Sequence, residues 1–407
     1  MKKILSICLL FILLFSSCSL SSKENEQLSE ELHKNDSRSN RIIASWLYYN
    51  EIEELVKASE TESDFISNIE NTVDKLKEFC VNTLILHVRA FDDAFYKSEI
   101  FPVSKYCEDG NGNLKFDVLQ CFIDVCHSKG ITLWCWVNPY RINKVDDISV
   151  IKEGYFQYDA LTSQNEQMLI RSPNGVYYNP ADEQVKKHIV DGIREIIENY
   201  DVDGIHFDDY FYPTTDEKID SIYYEKYKAD GGNLSLADFR RENVNSLIFS
   251  VCALARKYNK VFSVSPISNI NQNINSYYAD VKLWATSESY VDYIIPQIYF
   301  GFQNTVQPFK ETLEKWVELT GDSSKLLIGL AVYKSGTTDS NAKEGKDEWK
   351  SREVISKEID LICQNYEKIG FVYYSSSYLY KNSDEGIEQE KKNIKYTVNN
   401  YFPSSVT

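Results

Sequence analysis

The sequence predicts an α/β protein built as a single (β/α)8 barrel, the TIM-barrel fold. Eight short runs rich in β-branched and aromatic residues recur along the chain, and helical periodicity lies between most of them. Strands that alternate with helices are typical of parallel βαβ units, and eight such units are the number that closes a barrel. The length of residues 41–403 also suits one barrel. A doubly wound open sheet is the alternative, but it gives no reason for eight units.

The predicted strands are short, and each is followed by a helical pattern or a long loop. They cover residues 42–49, 83–90, 131–140, 203–209, 260–267, 292–300, 325–333 and 369–375. Apolar residues spaced by three or four positions predict the helices. These lie at 64–80, 116–129, 184–200, 238–258, 308–319, 353–368 and 384–401.

The first residues have the pattern of an export signal. Two lysines precede an apolar run from Ile4 to Phe15 that is too short to span a membrane. Small residues then precede Cys18, an arrangement that resembles a lipoprotein signal, which is cut before the cysteine so that its thiol is lipidated. Residues 1–17 are therefore predicted to be a lipoprotein signal peptide, with an ordinary secretory signal as the alternative.

Residues 18–40 are rich in Ser, Glu, Asn and Lys and hold almost no large apolar residues. Such a composition cannot bury a core, so this segment is predicted to be a disordered tether that leads to the barrel domain at 41–403. We expect an exported protein that is lipid-anchored to the cell envelope, on its periplasmic or extracellular face.

The charge of the chain bears on its partners. The formal net charge is −17, and loss of the two signal lysines makes it −19. Binding to nucleic-acid phosphates needs clustered Lys and Arg, so nucleic acid is not an expected partner. The cysteines and histidines show no spacing typical of a metal site, so neither a metal nor a cofactor is expected.

The segment DGIHFDDYFYP at 203–213 ends a predicted strand on two carboxylates. Burying an unpaired carboxylate is costly, so this strand end either opens onto solvent or carries charges with a function. Sites in a barrel lie at the carboxyl ends of the strands, and side chains alternate between the interior and the helix layer. This alternation points Gly204, His206 and Asp208 inward, and Asp209 begins the loop. Both carboxylates are therefore predicted at the barrel mouth.

The same alternation places aromatic and polar side chains of other strands at the mouth. Such a mouth suits a sugar, because aromatic rings stack on the apolar faces of pyranoses while amide and charged groups bond the hydroxyls. A packed interior position is the alternative for His206. The predicted sugar-binding residues are Trp46, His87, Arg89, Asp93, Trp136, Asn138, Arg141, His206, Gln297 and Tyr333.

Five segments of the chain resemble the glycoside-hydrolase-10-like lipoproteins, a group of exported barrel proteins. They lie at 82–104, 134–141, 179–213, 263–269 and 291–300. The resemblance extends over nearly the whole barrel region. The family includes enzymes that cut peptidoglycan glycan strands from which the peptides have been removed. The resemblance therefore implies a glycoside hydrolase whose partner is a cell-wall polysaccharide.

Glycoside hydrolysis normally needs one carboxylic acid that protonates the leaving oxygen and a second carboxylate that attacks or assists. Asp208 is the first catalytic candidate and Asp209 the second, and the alternative for Asp208 is an anchor bonded to Arg89. A further carboxylate from a loop is expected to be Asp280 or Asp93. Their alternatives are a helix cap and a loop salt bridge.

The segment 291–300 is similar to the chitinase strand that ends in a tyrosine bonding the acetamido group of the substrate. This similarity implies a substrate-assisted mechanism, in which the acetamido group attacks the anomeric carbon and a carboxylate orients it. Asp208 would be that carboxylate and Tyr299 its helper. The general acid stays unassigned, because Tyr210 occupies the position of the chitinase acid.

We therefore expect a glycoside hydrolase that cleaves peptide-free peptidoglycan strands. Arg89 and Arg141 are candidates for binding the lactyl carboxylate of a muramic acid residue. Two alternatives stay open: a glycosidase acting on another polysaccharide, and a carbohydrate-binding lipoprotein without catalytic activity. The second is kept because the sequence does not complete the carboxylate pair.

Overall fold

Eight parallel strands form the barrel that the sequence predicts, and they follow one another around it in chain order. Bridges between Ile294 and Leu326 and between Gln297 and Gly329 join the last open pair of strands. Strands are numbered along the chain, and β4 to β6 belong to a second, smaller sheet described below. The barrel strands are β1 (Ile43–Leu47), β2 (Thr83–Arg89), β3 (Thr132–Val137), β7 (Gly204–Phe207), β8 (Val261–Val264), β9 (Tyr293–Ile294), β10 (Leu327–Leu330) and β11 (Gly370–Tyr374).

The computed structural model describes residues 41–403, except residues 150, 163–165, 174, 322 and 383. The predicted signal peptide, the tether and the lipidation site Cys18 lie outside the described residues, so they stay predictions. Within the described part, no helix is both long enough and apolar enough to cross a membrane.

The helices of the barrel lie within a few residues of the predicted ones. Several begin where an Asp, Ser or Thr side chain accepts a hydrogen bond from the first turn, as at Thr61, Asp182, Ser235 and Asp384. The described α-helices are Tyr49–Lys57, Glu62–Lys77, Val118–Ser128, Phe156–Thr162, Glu183–Asn199, Ser221–Ala229, Leu236–Lys257, Ile270–Ser276, Val281–Thr286, Phe309–Thr320, Val354–Asn365, Ser377–Tyr380 and Glu385–Tyr401.

Apolar side chains form two separate cores. The larger core lies between the sheet and the helices. The smaller core fills the barrel interior with Ala44, Trp46, Ile85, Trp134, Trp136, Ile295, Leu327 and Val372. Two glycines on inward positions make room for the indoles, because a Cβ on Gly204 would lie 2.8 Å from Trp134 and one on Gly329 would lie 3.1 Å from Trp46. The tryptophans thus support the floor of the mouth.

Three parts of the fold differ from the sequence-based expectation. Six of the described helices were not predicted, namely Tyr49–Lys57, Phe156–Thr162, Ser221–Ala229, Ile270–Ser276, Val281–Thr286 and Ser377–Tyr380. The sixth barrel strand was predicted over 292–300, but β9 holds only two residues, because Pro296 has no N–H to continue the ladder. A small antiparallel sheet was not predicted. It consists of β4 (Arg141–Asn143), β5 (Leu169–Ser172) and β6 (Gly175–Tyr178), and it carries Arg141 on its first strand.

Candidate active site

A pocket of about 310 Å³ opens at the carboxyl ends of the barrel strands, and we call it the mouth pocket. Its volume lies at the lower end of the range for small-molecule sites. Its walls combine aromatic rings with two carboxylates, amides and one cation. The lining residues are Trp46, Tyr48, Tyr49, His87, Trp136, Asn138, Arg141, Asp208, Asp209, Tyr210, Ser265, Gln297, Tyr299 and Tyr374.

Asp208 lies at the end of β7 and is held by two donors. Its Oδ2 accepts a hydrogen bond from the indole N–H of Trp136 at 3.1 Å, and its Oδ1 accepts one from the backbone N–H of Tyr210 at 3.2 Å. The side chain is only 3% exposed. Burial and the neighbouring charge of Asp209 raise the pKa of Asp208 well above its usual range.

Asp209 shares the pocket but lies on its other side. Its Oδ1 accepts a hydrogen bond from the side-chain amide of Gln297 at 3.3 Å, and that amide also donates to the carbonyl of Ser265 at 3.1 Å. Asp209 is half-buried, and burial raises its pKa. Since Gln297 follows β9 and Trp136 belongs to β3, the two carboxylates are held from opposite sides of β7.

Several buried polar atoms in the mouth pocket have no partner in the described part of the chain. They are both ring nitrogens of His87, Oδ1 of Asn138 and Oγ of Ser265. The His87 ring lies flat on Trp136, with centroids 3.8 Å apart, and burial lowers its pKa well below its usual range, so the ring is neutral. Unpaired buried polar groups are costly, so these atoms fit positions that a bound polar ligand would satisfy.

Arg141 is the cation of the mouth pocket. Its guanidinium lies 4.3 Å from the ring centre of Tyr210 and 5.1 Å from that of Phe91. Among the described residues, its buried Nε has no hydrogen-bond partner and no carboxylate lies within salt-bridge distance of its guanidinium. Two aromatic faces therefore position a cation that is free to meet an anion.

A tyrosine wall lines the side of the pocket formed by β1, β9 and β11. Tyr374 lies between Tyr48 and Tyr299, with centroid distances of 6.3 Å and 5.7 Å and near-parallel rings in both pairs. Burial raises the pKa of Tyr299 well above its usual range, so this hydroxyl keeps its proton and can donate it in a hydrogen bond.

The structure does not place Arg89 at the mouth. Where β2 pairs with β3, His87 is the partner of Trp136 and Arg89 is the partner of the next residue, Val137. Val88 therefore has no partner in β3 and forms a β-bulge. This bulge turns Arg89 outward, where its guanidinium packs 4.1 Å from the ring centre of Phe101. All three guanidinium nitrogens are buried without a partner within the described part. The expected role of Arg89 in binding the substrate is therefore incompatible with this position.

His206 points into the barrel as predicted but lies below the mouth pocket. Its Nε2 accepts a hydrogen bond from the indole of Trp46 at 3.1 Å, which leaves Nδ1–H to donate to Ser263 at 2.8 Å. Burial lowers the pKa of His206 to about 3, so the ring is neutral and both nitrogens are occupied. His206 is therefore a packed interior residue, as its alternative interpretation proposed, and it does not line the mouth pocket.

Three further predicted residues lie outside the mouth pocket. Asp280 caps the helix Val281–Thr286 by accepting from the backbone N–H of Leu283 at 3.1 Å, which was its alternative interpretation. Tyr333 lies behind Tyr299, with ring centroids 6.0 Å apart. Asp93 lines a separate small cavity. These positions leave Asp208 and Asp209 as the only carboxylates among the residues that line the mouth pocket.

The alternation rule missed Tyr49, Tyr210 and Tyr374 as lining residues. Tyr49 begins a helix and Tyr210 belongs to a loop, so strand alternation does not apply to either. Tyr374 is the last residue of β11 and occupies an inward position by strand alternation, so this rule could have predicted it as a lining residue. No cluster of three or more histidine, cysteine or acidic side chains arranged to hold a metal ion occurs in the part of the chain that the structure describes.

Comparison with known proteins agrees with this geometry. The model of the family described as glycosyl hydrolase-like 10 matches residues 46–349. The chain belongs to this family. The predicted resemblance is therefore confirmed at the level of the family, and the residues of the mouth pocket from Trp46 to Tyr299 fall within the matched region.

Two curated relatives of the family are similar to most of the barrel. Glycosyl hydrolase YngK of Bacillus subtilis is 28% identical over 314 residues, which are 71% of this chain and 60% of YngK. Glycosyl hydrolase DigH of Escherichia coli strain K12 is 29% identical over 288 residues, 65% of each chain. The chain thus spans less than two thirds of the length of these relatives.

Solved structures share the fold at low sequence identity. The glycoside hydrolase domain of PgaB (BpsB) from Bordetella bronchiseptica has a TM-score of 0.53 and 13% identity, and the match covers 88% of this chain and 97% of that domain. The alpha-L-fucosidase isoenzyme 2 from Paenibacillus thiaminolyticus has a TM-score of 0.53 and 14% identity, covering 88% and 49%. These similarities confirm the barrel fold.

Proposed function

We propose that the protein is a glycoside hydrolase that cleaves peptide-free peptidoglycan strands. One observation carries the proposal: Asp208 and Asp209 lie together in an aromatic pocket at the mouth of a barrel of the glycosyl hydrolase-like 10 family. Most glycoside hydrolases use two carboxyl groups as catalytic residues, and aromatic side chains bind the apolar faces of sugar rings.

The raised pKa values of both aspartates support acid chemistry. Burial raises each pKa, and each carboxyl group opposes ionisation of the other, so the pair retains one proton at a pH at which an exposed aspartate is ionised. Asp209 is the more exposed and has one hydrogen-bond donor, whereas two donors hold the carboxylate of Asp208. We assign the proton donor to Asp209.

The reaction follows from these roles. Asp209 transfers its proton to the glycosidic oxygen as the bond between that oxygen and the anomeric carbon breaks. The acetamido oxygen of the sugar attacks the anomeric carbon, while Asp208 and the hydroxyl of Tyr299 orient the acetamido group. Water then attacks the anomeric carbon, gives a proton back to Asp209, and restores the acetamido group.

Arg141 supports the choice of peptide-free strands. A lactyl group that carries a peptide has lost its carboxylate to an amide bond, and removal of the peptide restores the negative charge. Arg141 is a cation with no carboxylate of the described residues at salt-bridge distance, and it lines the mouth pocket. It can bind the free lactyl carboxylate through charge-assisted hydrogen bonds, which an amide cannot match.

The proposal includes export and a lipid anchor, which rest on the sequence of residues 1–40. Cys18 would carry the lipid, and the polar segment after it would separate the barrel from the membrane. Replacing Cys18 by Ala in the full chain is expected to move the protein from the membrane fraction to the soluble fraction. Retention in the membrane fraction would contradict the anchor without affecting the enzymatic proposal.

Product analysis by mass spectrometry tests the enzymatic proposal. Purified protein is incubated with peptide-free glycan strands and with intact peptidoglycan, and Asp208→Asn and Asp209→Asn are measured alongside. Short oligosaccharides are expected from the bare strands and not from either variant. Asp280→Asn is the matched control, because this aspartate caps a helix outside the pocket and asparagine also caps well. Glycan binding without products would favour a carbohydrate-binding protein instead.

A further inference from the structure

A small cavity of about 70 Å³ lies beside the mouth pocket, and we call it the side cavity. It is far smaller than the cavities of roughly 300–1,000 Å³ that enclose whole ligands, so it suits a substituent of a few atoms. Its lining combines an apolar wall with amides, one carboxyl and two lysines. The lining residues are Phe91, Asp93, Pro102, Val103, Lys105, Tyr106, Ile142, Asn143, Lys152 and Gln157.

The side cavity and the mouth pocket share one wall of side chains. Tyr49 lines the mouth pocket, and its ring contacts Phe91 and Tyr106 of the side cavity at centroid distances of 5.1 Å and 4.7 Å. Arg141 lines the mouth pocket and lies 5.1 Å from the same Phe91 ring. A glycan that leaves the mouth pocket over this wall would place a neighbouring sugar above the side cavity.

Gln157 is the residue that points to a ligand. It is 3% exposed, lines the side cavity, and its amide has no hydrogen-bond partner among the residues described for this chain. Its amide offers both a donor and an acceptor to a group inside the cavity. A polar group entering the cavity would satisfy it.

The remaining polar groups favour an amide over an anion. Lys152 already donates to the carbonyl of Val103 at 3.0 Å, and the ammonium of Lys105 lies 5.3 Å from the ring centre of Tyr106. Asp93 would repel a carboxylate, yet it can accept a hydrogen bond from an amide N–H. Apolar side chains such as Val103 and Phe91 suit a methyl group.

We infer that the side cavity binds the N-acetyl group of a sugar adjacent to the one in the mouth pocket. The methyl group would contact the apolar wall, the amide N–H would donate to Asp93, and the carbonyl would accept from Gln157. This subsite rests on the proposed function and deepens it, because it makes the enzyme selective for glycans that are N-acetylated at neighbouring positions.

Titration calorimetry on the full chain carrying Asp208→Asn tests the subsite without turnover. The probes are the β-1,4-linked tetramer of N-acetylglucosamine and the corresponding tetramer of glucosamine. Gln157→Leu is expected to weaken binding of the acetylated tetramer about tenfold, the effect of one lost hydrogen bond of roughly average strength, and to leave binding of the glucosamine tetramer unchanged. Gln389→Leu, an exposed position on the C-terminal helix, is the matched control.

The outcomes separate the subsite from the proposed function. Equal affinity of the Gln157→Leu variant and the control for the acetylated tetramer would overturn the subsite, as would equal weakening for both tetramers. If the wild-type protein still hydrolyses peptide-free strands in that case, the proposed function is retained and only the subsite is rejected. Gln157→Glu keeps the size of the side chain, and its thermal unfolding together with the same titration excludes a folding defect as the cause.

Discussion

The indole N–H of Trp136 donates to Asp208 at 3.1 Å, and the same ring lies flat on the imidazole of His87. One side chain therefore fixes the direction of a catalytic candidate and supports a neutral polar ring beside it. Because the hydrogen bond favours the ionised carboxylate while burial opposes it, the proton affinity of Asp208 depends on this contact.

Asp208→Asn separates activity from stability. The variant is expected to lose at least about 100-fold in kcat on peptide-free strands, in line with the loss of a positioned catalytic group. Its midpoint of thermal unfolding at neutral pH should be equal to or above that of wild type, because the change removes a buried charge next to Asp209. A clear drop in the midpoint would show that Asp208 mainly anchors the structure.

The stability of the wild-type protein is expected to fall relative to Asp208→Asn as pH rises. The folded pKa of Asp208 is raised above its unfolded value of about 4, so its contribution to stability is present below that value. It is lost as pH rises through the folded pKa. Thermal unfolding of both proteins between acidic and neutral pH checks this, and a difference in midpoint that does not change with pH would contradict it.

Trp136→Phe should shift the pH dependence of the reaction. Loss of the indole donor raises the pKa of Asp208 further, and Asp208 must be ionised to orient the acetamido group. The acid limb of kcat/KM is therefore expected to move up by less than about one pH unit, the equivalent of a hydrogen bond of ~1 kcal/mol. Trp134→Phe is the matched control, because the indole N–H of Trp134 is buried without a partner in the described residues. Equal shifts in both variants would exclude the hydrogen bond as the cause.

Arg89→Met tests the outward position of Arg89. Its guanidinium is buried without a hydrogen-bond partner in the described part, so an apolar side chain of similar length should not lower stability and should leave activity intact. Arg240→Met is the contrast, because Arg240 is buried in a two-point contact with Asp220 at 2.9 and 2.6 Å. Removing that partner is expected to cost about 3–5 kcal/mol, measured by denaturant unfolding. Strong loss of activity in Arg89→Met at unchanged stability would contradict the assignment.

Arg141→Met is expected to act mainly on substrates with a free lactyl carboxylate. Its kcat/KM on peptide-free strands should fall at least about tenfold, since charge-assisted hydrogen bonds are worth roughly 1.5–3 kcal/mol. Its activity on oligomers of N-acetylglucosamine should fall less, since there the variant loses only the positive charge that lowers the pKa of Asp208 and Asp209. Arg194→Met, at an exposed position on the helix Glu183–Asn199, serves as the control. An equal fall on both substrates would mean that Arg141 holds the pocket together instead.

The barrel could be predicted from the sequence because its signals are local. Alternating β-rich and helical segments gave strand and helix positions within a few residues for most elements, and inward alternation found Trp46, Trp136 and Asp208. Asp209 was less certain from the same rule, because adjacent residues of a strand face opposite sides. It reaches the pocket because the strand ends at Phe207 and the loop turns its side chain toward Gln297.

Long-range packing could not be predicted. Gln157 belongs to a segment with no strand pattern and no recognised motif. Its role in ligand binding is inferred only from its burial and from the cavity that it lines together with Phe91 and Tyr106. Asp280 was expected from a loop as a further catalytic carboxylate, yet its side chain accepts a hydrogen bond from the backbone of the helix that it caps. Local sequence cannot distinguish a carboxylate that caps a helix from one that meets a substrate when both lie in loops.

The bulge at Val88 also limits how residues can be matched between relatives. A strand without that extra residue would turn the side chain at position 89 toward the mouth, so the same arginine could contact the glycan in one protein and be buried in another. Aligned letters at this position therefore do not establish a shared role at the 28–29% identity of the curated relatives. The hydrogen-bond register of the second barrel strand has to be established in each relative before its sugar-binding residues are inferred.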